Sequence, residues 1–415
     1  MSDLSTVTPA VRVDVVLGTR PEAIKLAPVI AALGESEFAE PRIISTGQHP
    51  DLVREILAYF HQQPDVDLGL MARGQCLTDL LARAVQRLGE HARSHRPDLV
   101  VVQGDTTSAL AGALAAFYEH VPVAHVEAGL RSGSLERPFP EEANRVLIGR
   151  VARLHFAPTS GSAQNLIAEG IDSQRVHVCG NTVIDALGWL SDSTSPSGTP
   201  EKWGVPADSR LVLVTAHRRE NWGSAFATVC AAVREMADGH PDVHVVFVAH
   251  PNPALREVAD RVLADHGRVH LAPPLPYAEF IQLLSRCTFA LSDSGGVQEE
   301  ATTLGKPVLL LRDVTERPEG VAAGTVQVVG TSRDRILEAA GKLLGDRRAY
   351  LRAARATHCF GDGLASRRIV GFIGHFFGRC APPAPFATEV SRPAWPDAVG
   401  ASAVGVEQYL TTSSF

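Results

Sequence analysis

Along the chain, short runs of β-branched and other apolar residues alternate with longer stretches whose apolar positions recur at helical spacing. The first set of runs is VRVDVVL (11–17), PRIIST (41–46), DLVVVQ (98–103), VPVAHV (121–126), LHFAP (154–158) and VHVCG (176–180). A second set is RLVLVTA (210–216), VHVVFVA (243–249), RVHLAP (268–273), FALSDS (289–294), PVLLL (307–311) and VQVVG (326–330). Runs this uniformly apolar suit strands buried on both faces with helices as cover, so the pattern predicts βαβ units on parallel sheets. Two doubly wound α/β domains are expected, residues 1–190 and 210–364, joined by a Ser-, Pro- and Gly-rich hinge at 191–209. Ligands of open parallel sheets sit outside the carboxyl ends of the strands, so two such domains facing one another would hold a cleft. From 381 to 415 small residues and prolines replace any periodicity, and this tail is expected to be mobile or loosely docked.

Composition narrows the functional classes. The 415 residues are 45% hydrophobic and 20% charged, which excludes disordered, collagen-like and coiled-coil chains. A formal net charge of −7 argues against general gripping of a nucleic-acid backbone. The six cysteines, at 76, 179, 230, 287, 359 and 380, nowhere approach CxxC spacing, so neither a zinc site nor a disulfide framework is expected. No basic segment followed by an apolar stretch opens the sequence, and no uncharged apolar run reaches about 18 residues. A cytoplasmic protein that does not span a membrane is the expectation.

Candidate chemistry clusters where strands end. The first strand runs into GTRPEAIKLAPVI (18–30), where Arg20 and Lys25 beside a helix N-terminus would form an anion site or, alternatively, an ordinary solvated pair. The segment is neither GxGxxG nor GxxxxGK[ST], which disfavours nicotinamide and Walker-type sites. Asp105, in QGDTTSAL, either faces ligand from a strand tip or caps the following helix. Glu127, in AHVEAGLR, is either a partly desolvated carboxylate with a raised pKa or a loop partner of Arg131. On the helix expected from Pro140, Glu141, Asn144, Arg145 and Ile148 share a face, and Glu141 and Arg145 could be simply a solvated pair. In the second half, His217, Arg218, Arg219 and His250 lie at strand ends and suit phosphate chemistry. FALSDSGGVQEE (289–300) carries a Ser-Gly-Gly turn, so the N–H groups near Ser294, Gly295 and Gly296 can approach a diphosphate, with Glu299 and Glu300 a turn away near ribose hydroxyls.

Taken together and in order, GTRPEAIK, TGQH, GDTT, HVEAGLR, PEEANR, GNTVIDAL, HRRE, SDSGGVQEE, GKPVLLLRDVTERPE, GTVQVVGT and GDGLASRRI resemble the non-hydrolysing UDP-N-acetylglucosamine 2-epimerases over about residues 11–370. The resemblance implies the two-domain glycosyltransferase-B fold, a homodimer, and a last helix at 365–380 crossing back to the first domain. It implies interconversion of UDP-GlcNAc and UDP-ManNAc by loss of UDP, through a 2-acetamidoglucal, and re-addition of UDP, with no cofactor, no metal, no nucleic acid and no membrane. By the same resemblance Asp105, Glu127 and Glu141 are acid/base carboxylates and His217 lies near the phosphates. Arg20, Lys25, Arg145, Ser294, Gly295, Gly296 and Glu300 bind substrate.

One positioned acid or base supplies about 10²–10⁴-fold, and inversion at C2 needs proton transfer on both sugar faces, so several carboxylates and a basic diphosphate cradle are required. Gln48, His49, Arg73, Gln75 and His250 correspond to an activator site for a second UDP-GlcNAc in bacterial relatives. Pro50 and Asp51 stand where relatives carry Arg, which departs from that site. A hydrolysing epimerase, an epimerase of a modified 2-acetamido sugar nucleotide, a glycosyltransferase and a non-catalytic sugar-nucleotide sensor are the alternative readings.

Overall fold

The computed structural model describes residues 9–72, 74–193, 199–218 and 221–387. The chain divides into two compact units, the first running to Trp189 and resuming at Phe360, the second running from Leu190 to Cys359.

Unit 1 is built on a sheet of β1 (Val11–Leu17), β2 (Ala39–Ser45), β3 (Val66–Asp67), β4 (Leu99–Gln103), β5 (Val123–Val126), β6 (Leu154–Ala157) and β7 (Val176–Val178). All neighbours pair parallel, in the order β3-β2-β1-β4-β5-β6-β7. Strand order reverses between β1 and β4, so the crevice at their carboxyl ends is where such a sheet takes its ligand. Strands β4, β5 and β6 are buried throughout, which is why they read as continuous apolar runs. In β1, Arg12 is exposed, and Asp14 is buried at 3% exposure and paired with Nε2 of His91 at 3.0 Å. Strand β3 has only two residues and no pattern to announce it, and the sequence reading missed it.

The last helix, Ala365–Phe376, packs in unit 1 against the helix Arg20–Glu35. Its N-terminus is held by Asp185, which accepts from the Ala365 N–H at 3.2 Å, the Ser366 N–H at 2.8 Å and the Ser366 hydroxyl at 2.6 Å. Residues 381–387 follow the same unit: Phe386 is buried and its N–H donates to the Val178 carbonyl at 2.7 Å. The rest of the tail lies outside the described residues.

Unit 2 repeats the plan with β8 (Arg210–Thr215), β9 (Val243–Val248), β10 (Val269–Ala272), β11 (Phe289–Ser292), β12 (Val308–Leu310) and β13 (Val326–Val328). Its strands are again all parallel, ordered β10-β9-β8-β11-β12-β13, with the reversal between β8 and β11. Within 191–209, the helix Thr182–Ser193 ends and a short helix, Thr199–Lys202, follows. Lys202 pairs with Glu279 at 3.1 Å and Val205 is buried, so the described part after 199 packs on this unit.

Candidate active site

In unit 1 the chain leaves β1 through Gly18 and Thr19 into the helix Arg20–Glu35, with Pro21 in its first turn. A Cβ on Gly18 would lie 2.1 Å from Thr46 Oγ1 and 2.3 Å from Ser108 Oγ, so only glycine fits this turn. Glu22 folds back on the turn. Its carboxylate accepts from the Gly18 N–H at 3.0 Å, the Thr19 N–H and hydroxyl at 2.8 Å each, and the Thr106 hydroxyl at 2.7 Å. Burial outweighs these donors and pushes the Glu22 carboxyl up to about 7.

One turn on, Lys25 Nζ forms a buried ion pair with Oε1 of Glu127, the residue following β5. Gln103 Nε2 donates to the other oxygen of Glu127, and Asn181 Nδ2 donates to Oε1 at 3.0 Å. Glu127 has φ +62, a left-handed conformation rare for a residue with a side chain, and donors from a helix, a strand and a loop over-determine it. Such strain concentrates at functional sites.

Asp105 lies just beyond β4, its carboxylate 2.8 Å from Arg145 Nη2 and its carbonyl accepting from Asn144 Nδ2 at 2.8 Å. Thr106 is the N-cap of the next helix, accepting from the Ala109 N–H, so the capping alternative belongs to Thr106. Arg145 also faces Glu142 at 3.3 Å through Nε, while Glu142 accepts from the Ser132 N–H at 2.9 Å. Glu141 opens the helix Glu141–Val151. Its Oε2 and Arg145 Nη1 are buried without a hydrogen-bond partner among the described residues.

In unit 2 the carboxylate nearest the switch point turns inward. Asp293, fully buried after β11, accepts from the His217 N–H, the Arg218 N–H and Asn221 Nδ2 at 2.9, 2.9 and 3.0 Å. It also lies 3.3 Å from His217 Nδ1, which fixes that ring. The His250 ring is nearly parallel to that of His217 with centroids 6.3 Å apart, and burial lowers the His250 pKa below its ordinary value. Ser294 stands at the N-cap position of the helix Gly295–Thr303 without a side-chain capping bond, so amide groups are presented at that N-terminus.

A Cβ on Gly295 would meet Arg317 Nη1 at 2.7 Å, whereas one on Gly296 would meet nothing within 4 Å. Arg317 belongs to a buried charge ladder: Glu299 to Arg317 Nε at 2.6 Å, Arg317 Nη1 to Glu316 at 2.7 Å, and Glu316 to Arg312 at 2.8 Å. Alternating signs cancel, which makes burying four charges tolerable. Glu300 accepts from the Tyr277 hydroxyl at 2.7 Å.

Several expectations take a different form. Lys25, expected in an anion site, has Glu127 as its partner because both are buried and each compensates the other's charge. Arg131 pairs with Glu169 at 2.6 Å rather than with Glu127. Glu299 is spent on Arg317, leaving Glu300 as the residue beside the turn. Of the set assigned to an activator, Gln48 accepts from the Ser108 hydroxyl at 2.9 Å and the His49 N–H donates to the Gly18 carbonyl at 2.8 Å. Gln75 bonds Met71 Sδ at 3.2 Å and Arg83, all in unit 1, while His250 is in unit 2. Arg73 and Arg219 lie outside the described residues.

The sequence reading missed Glu22, Gln103, Asn181, Tyr277, Asp293, Arg312, Glu316 and Arg317. Only Glu22 had a local signal, the Thr19-x-x-Glu22 capping box.

Two doubly wound parallel sheets, one switch point set with carboxylates and the other with amides and a fixed histidine, define a two-domain protein of the glycosyltransferase-B-like class. A family model described as UDP-N-acetylglucosamine 2-epimerase matches residues 31–374, and the chain belongs to that family. It is 45% identical over 361 residues to the UDP-N-acetylglucosamine 2-epimerase of Escherichia coli, covering 86% of this chain and 96% of that one. Among solved structures, S. aureus MnaA with UDP superposes with a TM-score of 0.86 at 42% identity, covering 92% of this chain and all of that chain. The Neisseria meningitidis UDP-GlcNAc 2-epimerase bound to UDP-GlcNAc gives 0.85 at 41% identity, covering 87% of this chain and 99% of that one. Among the described residues no helix is long and apolar enough to cross a membrane.

Proposed function

We propose that the protein interconverts UDP-N-acetylglucosamine and UDP-N-acetylmannosamine without releasing free sugar. A carboxylate takes the C2 proton as the C1–O bond breaks and its electron pair leaves with UDP, giving a 2-acetamidoglucal. A second group returns a proton to the opposite face of C2, and a UDP oxygen re-forms the bond to C1. Asp105, Glu127 and Glu141 carry the proton transfers, with Arg145 as a donor beside them. The amides at Ser294, Gly295 and Gly296, with His217 and Arg20, hold the diphosphate, and Glu300 accepts from the ribose. Lys25 serves by pairing with Glu127 and orienting it.

The observation that supports this most is Glu127, strained at φ +62 and held by Lys25, Gln103 and Asn181 at the sheet's switch point. The buried Glu141 Oε2 and Arg145 Nη1, without a hydrogen-bond partner among the described residues, add one acceptor and one donor suited to a polar sugar. A cytoplasmic homodimer is the proposed working form, and exposed Phe117, Tyr118 and Leu147 in unit 1 offer apolar area for it. Incubation with UDP-GlcNAc in D₂O, with no cofactor added, tests the reaction by NMR. UDP-ManNAc carrying deuterium at C2 is expected. Accumulation of free ManNAc with UDP, or turnover without deuterium uptake, contradicts it.

A further inference from the structure

We propose that Glu22 is a positioning residue for Asp105, clamping the turn after β1 to the turn after β4. This rests on the reading of Asp105 as an acid/base group. Glu22 Oε2 takes the Gly18 N–H, Thr19 N–H and Thr19 hydroxyl, and its Oε1 takes the hydroxyl of Thr106, the residue next to Asp105. One fully buried carboxylate therefore spans the two loops that flank the switch point.

Other supports of Asp105 come from β5 and the helix Glu141–Val151. Arg145 holds its carboxylate, Asn144 holds its carbonyl, and His125 Nε2 lies 2.7 Å from the Gly104 carbonyl just before it. Burial pushes His125 down to about 3, so its ring stays neutral and donates Nε2–H to that carbonyl. These groups all come from β5 or the helix Glu141–Val151, whereas Glu22 ties Asp105 to β1. The β1 turn is itself rigid, since Gly18 is packed against Thr46 and Ser108. Displacing a reacting group by about 1 Å costs on the order of 100-fold in rate, so losing this tie should appear in turnover rather than in binding.

Thr106→Val removes the donor of the bond between the loops, and Glu22→Gln leaves one acceptor oxygen where four donors converge on two. Both are expected to lower kcat and the C2 exchange rate about 10- to 100-fold, with KM for UDP-GlcNAc and affinity for UDP within about twofold. Thr106→Ser, which restores the hydroxyl, should recover most of the rate. The double variant Glu22→Gln/Thr106→Val should be no slower than the slower single variant, because both break one contact. Unchanged kcat in Glu22→Gln and Thr106→Val, fully multiplicative losses, or a change confined to KM would overturn the proposal. If Thr106→Val does not fold, Glu22→Gln beside Thr106→Ser still decides. Asp105→Asn separates the two readings. Retained exchange in that variant removes the acid/base assignment, whereas a dead Asp105→Asn beside a fully active Glu22→Gln removes only the clamp.

Discussion

The two units share a strand order and put opposite chemistry at its reversal. At the β1/β4 crevice of unit 1, Glu127 pairs with Lys25 and Asp105 with Arg145, so acidic groups stand beside cations. At the β8/β11 crevice of unit 2, Asp293 is turned into the protein and spends its oxygens on the N–H groups and ring of the His217 loop. Glu299 and Glu316 are likewise absorbed by Arg317 and Arg312. That crevice also carries the amide-rich start of the helix Gly295–Thr303 and the histidine beside Asp293. One sheet thus suits moving a proton and the other suits holding an anion. The doubly wound plan sets where a site falls, and the direction in which carboxylates point sets what it does.

The contrast can be broken most severely at Lys25. Lys25→Ala leaves Glu127 buried without its cation, and removing one member of a buried pair costs about 3–5 kcal/mol. Urea denaturation should show that loss, and Lys25→Ala/Glu127→Ala should recover much of it. Full stability in the single variant would show that Gln103 and Asn181 suffice.

Next in size is the pH dependence at Glu22. Burial raises its carboxyl from an ordinary 4.5 to about 7, so the folded state binds the proton more tightly than the unfolded chain. The stabilisation is complete below about pH 4.5 and is lost as pH rises through 7, a change of about 3 kcal/mol. Stability measured against pH for wild type minus Glu22→Gln should fall across that window, and parallel curves would contradict it.

Smaller still is Asp293→Asn. An amide cannot accept from every group Asp293 now serves, so the His217 loop should loosen at a cost of about 1–3 kcal/mol, with UDP affinity lowered. Calorimetry of UDP binding reads this directly. Unaltered affinity would mean that the loop's order does not matter to the anion.

Twelve of the thirteen strands among the described residues were legible because strands buried on both faces leave apolar runs, whereas the two residues of β3 leave none. Asp105, Glu127 and Ser294 to Gly296 were legible because they stand where runs end and turns begin. Their partners were not. Lys25 and Glu127 are 102 positions apart, and no local pattern couples them. Arg312 and Glu316 have the i, i+4 spacing of a solvated pair, yet both are buried with Arg317. Asp293 reads as one more turn residue until the loop after β8 closes over it.

The division of labour is tested most directly by measuring C2 deuterium uptake and UDP affinity together in Asp105→Asn. The account predicts that exchange falls by about 10²–10⁴-fold while UDP binds as in the wild type. Exchange at the wild-type rate, or a parallel collapse of UDP binding, would contradict it.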